Sequence, residues 1–234
     1  MGLHFEEDDL AFNGMLLHPA IRTLSEMAQA LAYPDRKTRL QPDTPTYFMY
    51  RGVLLFKKIR YDITRIPQLD LCGERNKTFG HAHPRSPSGP CWPEIYEVLE
   101  GNAHFLIQKM AMGSVDASYL LEGKKGDRFL IPPGFGHVTI NAGKSDLVLA
   151  NLVSGDFESD YSLYAKMHGA CVYEAKEGKI LNNRHYGKFK LGRESAVKFS
   201  SQFSCYSPFK KNSLLEVAKD YQKIEFLEKP EKFR

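Results

Sequence analysis

About ten short runs rich in aromatic and β-branched residues follow one another between residues 46 and 153. The runs are Thr46–Tyr50, Val53–Lys57, Tyr61–Ile66, Thr78–His83, Glu94–Leu99, Ala103–Met110, Ala117–Leu121, Arg128–Ile131, His137–Asn141 and Leu147–Val153. Such residues favour β-strands, and the Gly, Pro, Asn and Asp between the runs favour turns. A parallel sheet would need crossover helices, for which this segment has no room. The pattern therefore predicts an all-β fold of two antiparallel sheets, a jelly roll.

The residues before these strands predict an arm and a helix. Residues 1–18 read as an extended arm, after which His18-Pro19 opens a helix that Pro34 ends. The apolar residues at helical spacing are Ala20, Ile21, Leu24, Met27, Ala28 and Leu31. A stripe of this kind is typical of a helix that covers a larger body, and we expect the arm to wrap that body or to meet a second subunit.

The sequence contains no repeat or flexible linker, so we expect one domain over residues 1–234. Its three parts are the arm and helix (1–45), the barrel (46–170) and a C-terminal extension (171–234). Within the extension, Cys171–Glu174 reads as a strand and the segment near Ser213–Tyr221 as a helix.

Charge and cysteine use exclude several classes of protein. The net charge is only +4 and opposite charges are well mixed, whereas a nucleic-acid binder would show a dense basic block. No apolar run reaches membrane-spanning length, and the N-terminus is acidic, unlike a secretory signal. The four cysteines lack CxxC spacing, which indicates free thiols. We therefore predict a cytoplasmic protein with neither a nucleic-acid nor a membrane partner.

Three histidines and one glutamate are spaced as the ligands of a single divalent metal. His81 and His83 are two residues apart in a strand-like run, so their side chains should share one face. Glu94 begins a second strand, and His137 begins a third after a Pro-Pro-Gly turn. Such a set, with positions left for water or substrate, suits Fe(II), Mn, Ni or Zn.

The remaining histidines and Cys91 fit this pattern less well. Cys91 lies near the predicted site and could act as a soft ligand, but the nitrogen and oxygen set is already complete, so we interpret it as a loop residue. The histidines without a partner pattern are His4, His18, His104, His168 and His185. We interpret these five as structural or solvent-exposed.

The two ligand segments resemble the paired motifs of the cupin superfamily. The second motif is complete: Gly126, Pro132, Gly134, His137 and Asn141. The first motif matches at His81, His83, Glu94 and Gly101. It departs in a longer stretch, residues 84–93, and in a leading glycine at position 73, two places early. The resemblance implies the cupin double-stranded β-helix, and a surface loop would absorb the extra residues at little cost.

Within that superfamily, residues 20–170 are similar to the cupin-type glucose-6-phosphate isomerases of archaea and some bacteria. The segments that carry the similarity are Arg22–Met27, Tyr47-x-x-Tyr50, Tyr61–Thr64, Lys77–His83, Glu94–Tyr96 and Ile131–Asn141. The resemblance implies a homodimeric enzyme of glycolysis and gluconeogenesis that interconverts glucose 6-phosphate and fructose 6-phosphate. It also implies one divalent metal ion per subunit, with Fe2+ as the first candidate and Mn2+, Ni2+ or Zn2+ as alternatives.

The same resemblance places six residues of this chain against the sugar phosphate. They are Tyr47, Thr64, Thr78, Gly80, Tyr96 and Tyr161. The threonines and the glycine would hold the phosphate, and the tyrosines would line the sugar. Val153 and Ser159 stand near positions where the family has further substrate contacts, so the sugar preference of this chain is open.

Isomerisation moves hydrogen between C1 and C2 of the sugar. An enediol route needs a base near C2, and Glu94 could serve as that base while lying against the metal. A hydride shift would need the metal but no base. Two other functions are alternatives. A mononuclear iron dioxygenase can have the same ligand set, whereas a non-enzymatic sugar-binding cupin could keep the fold while losing ligands, and the presence of all four ligands argues against it. Mannose 6-phosphate is a further possible substrate.

Overall fold

Strands dominate the computed structural model of the chain, which describes residues 2–234. In chain order the strands there are β1 (Leu3–Glu6), β2 (Asp9–Phe12), β3 (Met15–Leu17), β4 (Ala20–Thr23), β5 (Pro45–Phe56), β6 (Ile59–Ile66), β7 (Asp70–Leu71), β8 (Glu74–Arg75), β9 (Glu94–Glu100), β10 (Asn102–Ala111), β11 (Ser114–Lys124), β12 (Arg128–Ile131), β13 (Phe135–Asn141), β14 (Leu147–Ser154), β15 (Val172–Glu174), β16 (Ile180–Asn182) and β17 (Leu191–Ser195).

Helices are short and lie mainly at the two ends of the chain. The α-helices among residues 2–234 are α1 (Leu24–Met27), α2 (Ser162–Lys166), α3 (Ala196–Ser200), α4 (Leu214–Ala218) and α5 (Tyr221–Ile224). Turns of 3₁₀-helix cover Ala28–Ala30, Ser204–Lys210, Glu225–Leu227 and Pro230–Lys232. No helix in this range is long and apolar enough to cross a membrane.

Two facing sheets form the body of the protein. One sheet has the strand order β12-β9-β14-β6-β5-β4, and the other has the order β13-β10-β11-β17. Apolar side chains of both sheets form one core between them, including Val98 and Leu149 from the first sheet and Phe105, Leu121 and Ile140 from the second. The predicted cupin double-stranded β-helix is confirmed, with the sheets arranged as a sandwich rather than closed into one hydrogen-bonded barrel.

The C-terminal extension covers the outer face of the six-stranded sheet. Alternate residues of β14, Val148, Ala150 and Leu152, belong to a second core that includes Leu214 and Ile224 of the extension. Every residue of β14 is consequently buried, and this explains its nearly continuous apolar sequence. The extension also supplies β17, which pairs with β11 and is parallel to it, the one departure from antiparallel order within these two sheets.

The predicted N-terminal helix begins later than expected. Residues Ala20–Thr23 are a strand that pairs with β5, and Ile21 is 43% exposed rather than buried. The helix starts at Leu24 because Thr23 caps it, in a capping box with Glu26. The predicted extended arm is likewise wrong in detail, since residues 3–17 fold into the three-stranded sheet β1-β2-β3.

Two strand predictions also needed correction. The runs at Thr46–Tyr50 and Val53–Lys57 are parts of the single strand β5, whose register shifts between Tyr50 and Leu54. The segment Thr78–His83 is not a regular strand, because Gly80 takes a φ of +93°. It is joined to β13 by an isolated bridge between His81 and His137 instead, and Ala82 forms a second isolated bridge with Asp160.

Candidate metal centre

The four predicted ligands lie on neighbouring backbone segments at one end of the sandwich. Glu94 is the first residue of β9, and His137 lies in β13. The His81 and His137 backbones exchange two hydrogen bonds, with the N–H of His81 3.1 Å from the carbonyl of His137 and the reverse pair at 2.9 Å. His83 lies two residues after His81. Strands of both sheets therefore deliver these side chains to one point.

One ligand atom from each of the four residues lies within 4.8 Å of all the others. The Nε2 atoms of His81 and His83 are 3.2 Å apart. Glu94 Oε2 lies 3.3 Å from His83 Nε2 and 3.4 Å from His137 Nε2. Four side chains thus present donor atoms to a volume the size of one coordination sphere.

Hydrogen bonds fix which atoms face that volume. The Nδ1–H of His83 donates to the carbonyl of Trp92 at 2.9 Å, which leaves the Nε2 lone pair directed at the other ligands. The side-chain N–H of Asn151 donates to Glu94 Oε1 at 2.7 Å. Glu94 Oε2 is buried and, among residues 2–234, has no hydrogen-bond partner. A buried carboxylate oxygen left in this way fits a cation.

Burial keeps two of the imidazoles neutral. Loss of hydration lowers the pKa of His81 well below its ordinary value, and the nearby His83 lowers it further. Burial lowers the pKa of His137 in the same way, with His81 and His83 adding to the effect. Neutral imidazoles are the form that binds metals. The donor set therefore fits a divalent cation in charge as well as in position.

Three of the four residues, His81, His83 and Glu94, line a pocket that also contains every predicted substrate contact. Its lining includes Tyr47, Thr64, Thr78, Gly80, Tyr96 and Tyr161, together with His81, His83 and Glu94. Val153 and Ser159, the two positions that depart from the isomerase pattern, also line it. The roles of these residues remain predictions, but the sequence motifs do meet at one cavity.

A family model described as glucose-6-phosphate isomerase (GPI) matches residues 50–190, more than half of the chain. The chain belongs to the glucose-6-phosphate isomerase (GPI) family. The matched residues include all four members of the metal cluster. No curated protein matches the chain significantly in sequence.

Solved structures resemble the GPI-family chain only distantly. An oxalate oxidase in complex with the substrate analogue glycolate is 20% identical over 45% of this chain and 46% of its own, with a TM-score of 0.36. A Bacillus subtilis oxalate decarboxylase with Mn(II) centres is 18% identical over 49% of this chain and 26% of its own, with a TM-score of 0.35. A cysteine peptidase from Thevetia peruviana latex is 19% identical over 44% of this chain and 55% of its own, with a TM-score of 0.35. The chain thus spans about half of the first two structures that it matches, and these likenesses carry no conclusion about activity.

Several polar pocket residues of this GPI-family chain have no counterpart in the sequence prediction. They are Arg51, Arg60, Asp62 and Asn151. Arg60 and Asp62 form an ion pair at 3.2 Å, and Asp62 also accepts the N–H of Gly52 at 2.6 Å. The available signal was the alternation of Arg60, Asp62 and Thr64 along β6, which places all three on the face that lines the pocket.

The long stretch between His83 and Glu94 also contributes to the site. It supplies the Trp92 carbonyl that orients His83, and the Trp92 indole stacks on Phe157 with ring centroids 5.6 Å apart. Phe157 in turn contacts His83, at 4.6 Å between centroids. The extra residues are therefore more than a surface insertion. Cys91, from the same stretch, is not among the clustered ligands.

The other five histidines lie outside the cluster, as predicted. His4 and His18 are exposed. His104 pairs with the buried Glu174 at 2.7 Å, and the rings of His168 and His185 stack on each other. These contacts are structural ones.

The buried imidazoles predict an acid-sensitive fold for the metal-free protein. In the unfolded chain His81 and His137 take up protons near their ordinary pKa of about 6.5, but in the folded chain burial lowers both pKa values. The unfolded state therefore binds more protons as pH falls below that value. As the pH is lowered below about 6.5, we expect the free energy of unfolding to fall by up to about 1.4 kcal/mol per pH unit for each of the two histidines.

Urea unfolding of metal-stripped protein at pH values from neutral to mildly acidic would measure this slope. His137→Gln removes one of the two titrating groups, so its slope should be smaller, whereas His4→Gln changes an exposed residue and should leave the slope unchanged. Equal slopes in the wild type and in His137→Gln would contradict the burial argument.

Proposed function

We propose that the protein is a metal-dependent isomerase that interconverts glucose 6-phosphate and fructose 6-phosphate. One observation carries the proposal: the four-residue cluster opens onto a pocket whose lining includes all six residues assigned to the sugar phosphate. Membership of the GPI family supports the reaction class. The native metal is part of the proposal, with Fe2+ first and Mn2+, Ni2+ or Zn2+ as alternatives.

The charges of the pocket suit a dianion. The lining contains two arginines, Arg51 and Arg60, and two carboxylates, Asp62 and Glu94, which offset each other when ionised. The remaining charge is then that of a bound divalent cation, which a sugar phosphate dianion would match. This balance favours a phosphorylated substrate over a neutral sugar.

The phosphate end of the pocket is proposed at Thr78 and Gly80. Thr78 Oγ1 accepts the backbone N–H of Thr139 at 3.0 Å, so the hydroxyl proton is directed elsewhere and can be donated to a phosphate oxygen. Gly80 is buried and lines the pocket with its backbone, because a Cβ there would collide with Tyr164 and Val138. Both groups would fix the distance from the phosphate to the reacting carbons.

Two tyrosine hydroxyls would orient the sugar as donors. Burial raises the pKa of Tyr96 well above its ordinary value, and burial also raises the pKa of Tyr47. Both hydroxyls therefore stay protonated at neutral pH. The Tyr96 hydroxyl lies 3.1 Å from His137 Nε2, close to the proposed reacting atoms.

Glu94 is the proposed base for proton transfer between C1 and C2 of the sugar. Its carboxylate is buried and lines the pocket, where a proton taken from one carbon would be protected from bulk water. A bound divalent cation would polarise the sugar oxygens and offset the negative charge of the enediolate. Incorporation of solvent deuterium into product would support this route, whereas a hydride shift would leave the label out.

The proposal is tested by metal analysis of the purified protein together with a coupled isomerase assay. Metal-stripped protein is reloaded with Fe2+, Mn2+, Ni2+ or Zn2+ and assayed with fructose 6-phosphate, then with mannose 6-phosphate. Activity that appears only on reloading would support the proposal. Metal binding without activity, or oxygen uptake with a small organic acid, would contradict it and favour a sugar-binding cupin or an iron dioxygenase.

Replacing Thr78 by Val is expected to raise KM for fructose 6-phosphate about tenfold, with a smaller change in kcat. The substitution removes one hydrogen bond to a charged phosphate, for which about 1.5 kcal/mol is typical. Thr78→Ser keeps the hydroxyl and serves as the control, with a KM near that of the wild type. If Thr78→Val also left KM unchanged, the phosphate would have to bind elsewhere.

Assembly and location are also proposals. We infer a cytoplasmic homodimer, for which the exposed apolar side chains Leu16 of β3 and Ile21 of β4, 50% and 43% exposed, are candidate contacts. Sedimentation equilibrium of the wild type and of Ile21→Ser would test this assignment. A wild-type monomer at micromolar concentration would contradict it.

A further inference from the structure

Asn151 is an anomaly in its own strand. The neighbours of Asn151 in Leu147–Val153 are all apolar, and the whole of β14 is buried. Asn151 itself is 4% exposed. Burying an amide is costly unless the amide is hydrogen-bonded, so an asparagine at the centre of an apolar strand requires a specific partner.

That partner is the glutamate of the metal cluster. Asn151 stands opposite Tyr96 of β9 on one side and opposite Asp62 of β6 on the other, which holds its backbone in the middle of the six-stranded sheet. Its side chain reaches Glu94, and Nδ2 lies 2.7 Å from Oε1. Both side chains are buried, so this hydrogen bond is not exchanged for one to water.

The hydrogen bond makes the two oxygens of Glu94 unequal. Oε1 is held by Asn151, whereas Oε2 faces His83 and His137 and lacks a hydrogen-bond partner in residues 2–234. A carboxylate can bind a cation through one oxygen or through both. Here a cation among the histidines would meet Oε2, and rotation of the carboxylate to bring Oε1 in as well would break the bond to Asn151.

We propose that Asn151 is a positioning residue that restricts Glu94 to binding a metal ion through Oε2 alone. Three imidazoles and one carboxylate oxygen then leave room for two further oxygen ligands on an octahedral ion. The two oxygens on C1 and C2 of an aldose or ketose phosphate could bind there together. This use of the free positions rests on the proposed isomerase function, whereas the binding mode of Glu94 does not.

The test measures exchangeable water at the ion, without any sugar. Metal-stripped protein is loaded with Mn2+, and the relaxation rate of water protons reports how many water molecules exchange on the bound ion. In Asn151→Leu, which keeps the branched shape of the side chain but cannot donate, Glu94 is free to bind through both oxygens. We expect the inner-sphere contribution to fall by about half at full Mn2+ loading, since one of two waters is displaced.

Asn183→Leu is the matched control. Asn183 is also buried, and its amide donates to backbone carbonyls at Met167 and Ala170, away from the metal cluster. It should lose stability as Asn151→Leu does but keep the wild-type relaxation rate. Asn151→Ala provides a second variant if the leucine variant does not fold, and the same decrease in relaxation rate is expected.

A fully loaded Asn151 variant with the relaxation rate of the wild type would overturn the inference. A folded Asn151 variant that no longer bound Mn2+ would overturn it too, because the Oε2 ligand should persist. If the inference holds and the protein is an isomerase, kcat of Asn151→Leu falls by about tenfold or more, since one substrate oxygen loses its position. Failure of the isomerase assay in the wild type leaves the relaxation result standing, so the two failures are distinguishable.

Discussion

Glu94→Gln is expected to lower kcat/KM for fructose 6-phosphate by about three orders of magnitude. Loss of a general base alone accounts for roughly 10²–10⁴-fold. The geometry adds a second loss. Asn151 donates to the carboxylate at 2.7 Å, so the glutamine oxygen must stay there as acceptor. Its NH₂ group then faces His83 and His137, where a cation would otherwise bind, and an NH₂ group with no free lone pair is not a ligand.

The measurement is metal content by mass spectrometry and steady-state kinetics at saturating Mn2+. Glu100→Gln is the control, because Glu100 lies on the same strand, β9, but is exposed. The control should retain both metal and activity. Full activity with metal retained in Glu94→Gln would refute the role of Glu94 as base. Metal retained with low activity would assign Glu94 to proton transfer and would show that Glu94 is not essential for binding the metal.

Much of the metal cluster was predictable from the sequence because its signals are local. His81 and His83 share one short segment, and His137 follows a Pro-Pro-Gly turn that sets where β13 begins. The pairing of that segment with β13 then brings the two ends of the pattern together. The sequence motif identifies these cluster residues because each of them is recognised by the residues immediately around it.

Asn151 and Asp62 could not be placed in the same way. Their presence in the pocket depends on β14 lying between β9 and β6, a neighbour relation that the chain order does not reveal. A signal was nevertheless present, since a lone asparagine in an apolar strand demands a partner. The start of the first helix was also encoded locally, in the Thr23-x-x-Glu26 capping box, but the apolar spacing of residues 20–31 pointed to an earlier start.

Gly80→Ala, which adds a single methyl group, is expected to lower the free energy of unfolding by about 2–5 kcal/mol. Two penalties combine. The φ of +93° costs a residue with a Cβ about 1–2 kcal/mol. The added carbon would also lie 2.5 Å from a ring carbon of Tyr164 and 2.6 Å from a methyl of Val138, and overpacking of this kind costs about 1–3 kcal/mol.

Gly134→Ala separates the two penalties. Gly134 has a similar φ of +84°, but an added Cβ there would meet no atom within 4 Å, so only the backbone cost of about 1–2 kcal/mol applies. Urea unfolding of the wild type and both variants gives the two free energies. Equal losses would contradict the close packing around Gly80.

Because Tyr164 and Val138 are fully or almost fully buried, neither can move aside cheaply, and the segment that carries Gly80 must shift instead. That shift would displace Thr78 and His81 together, so KM should rise and metal affinity fall in the same variant, whereas Gly134→Ala should change neither.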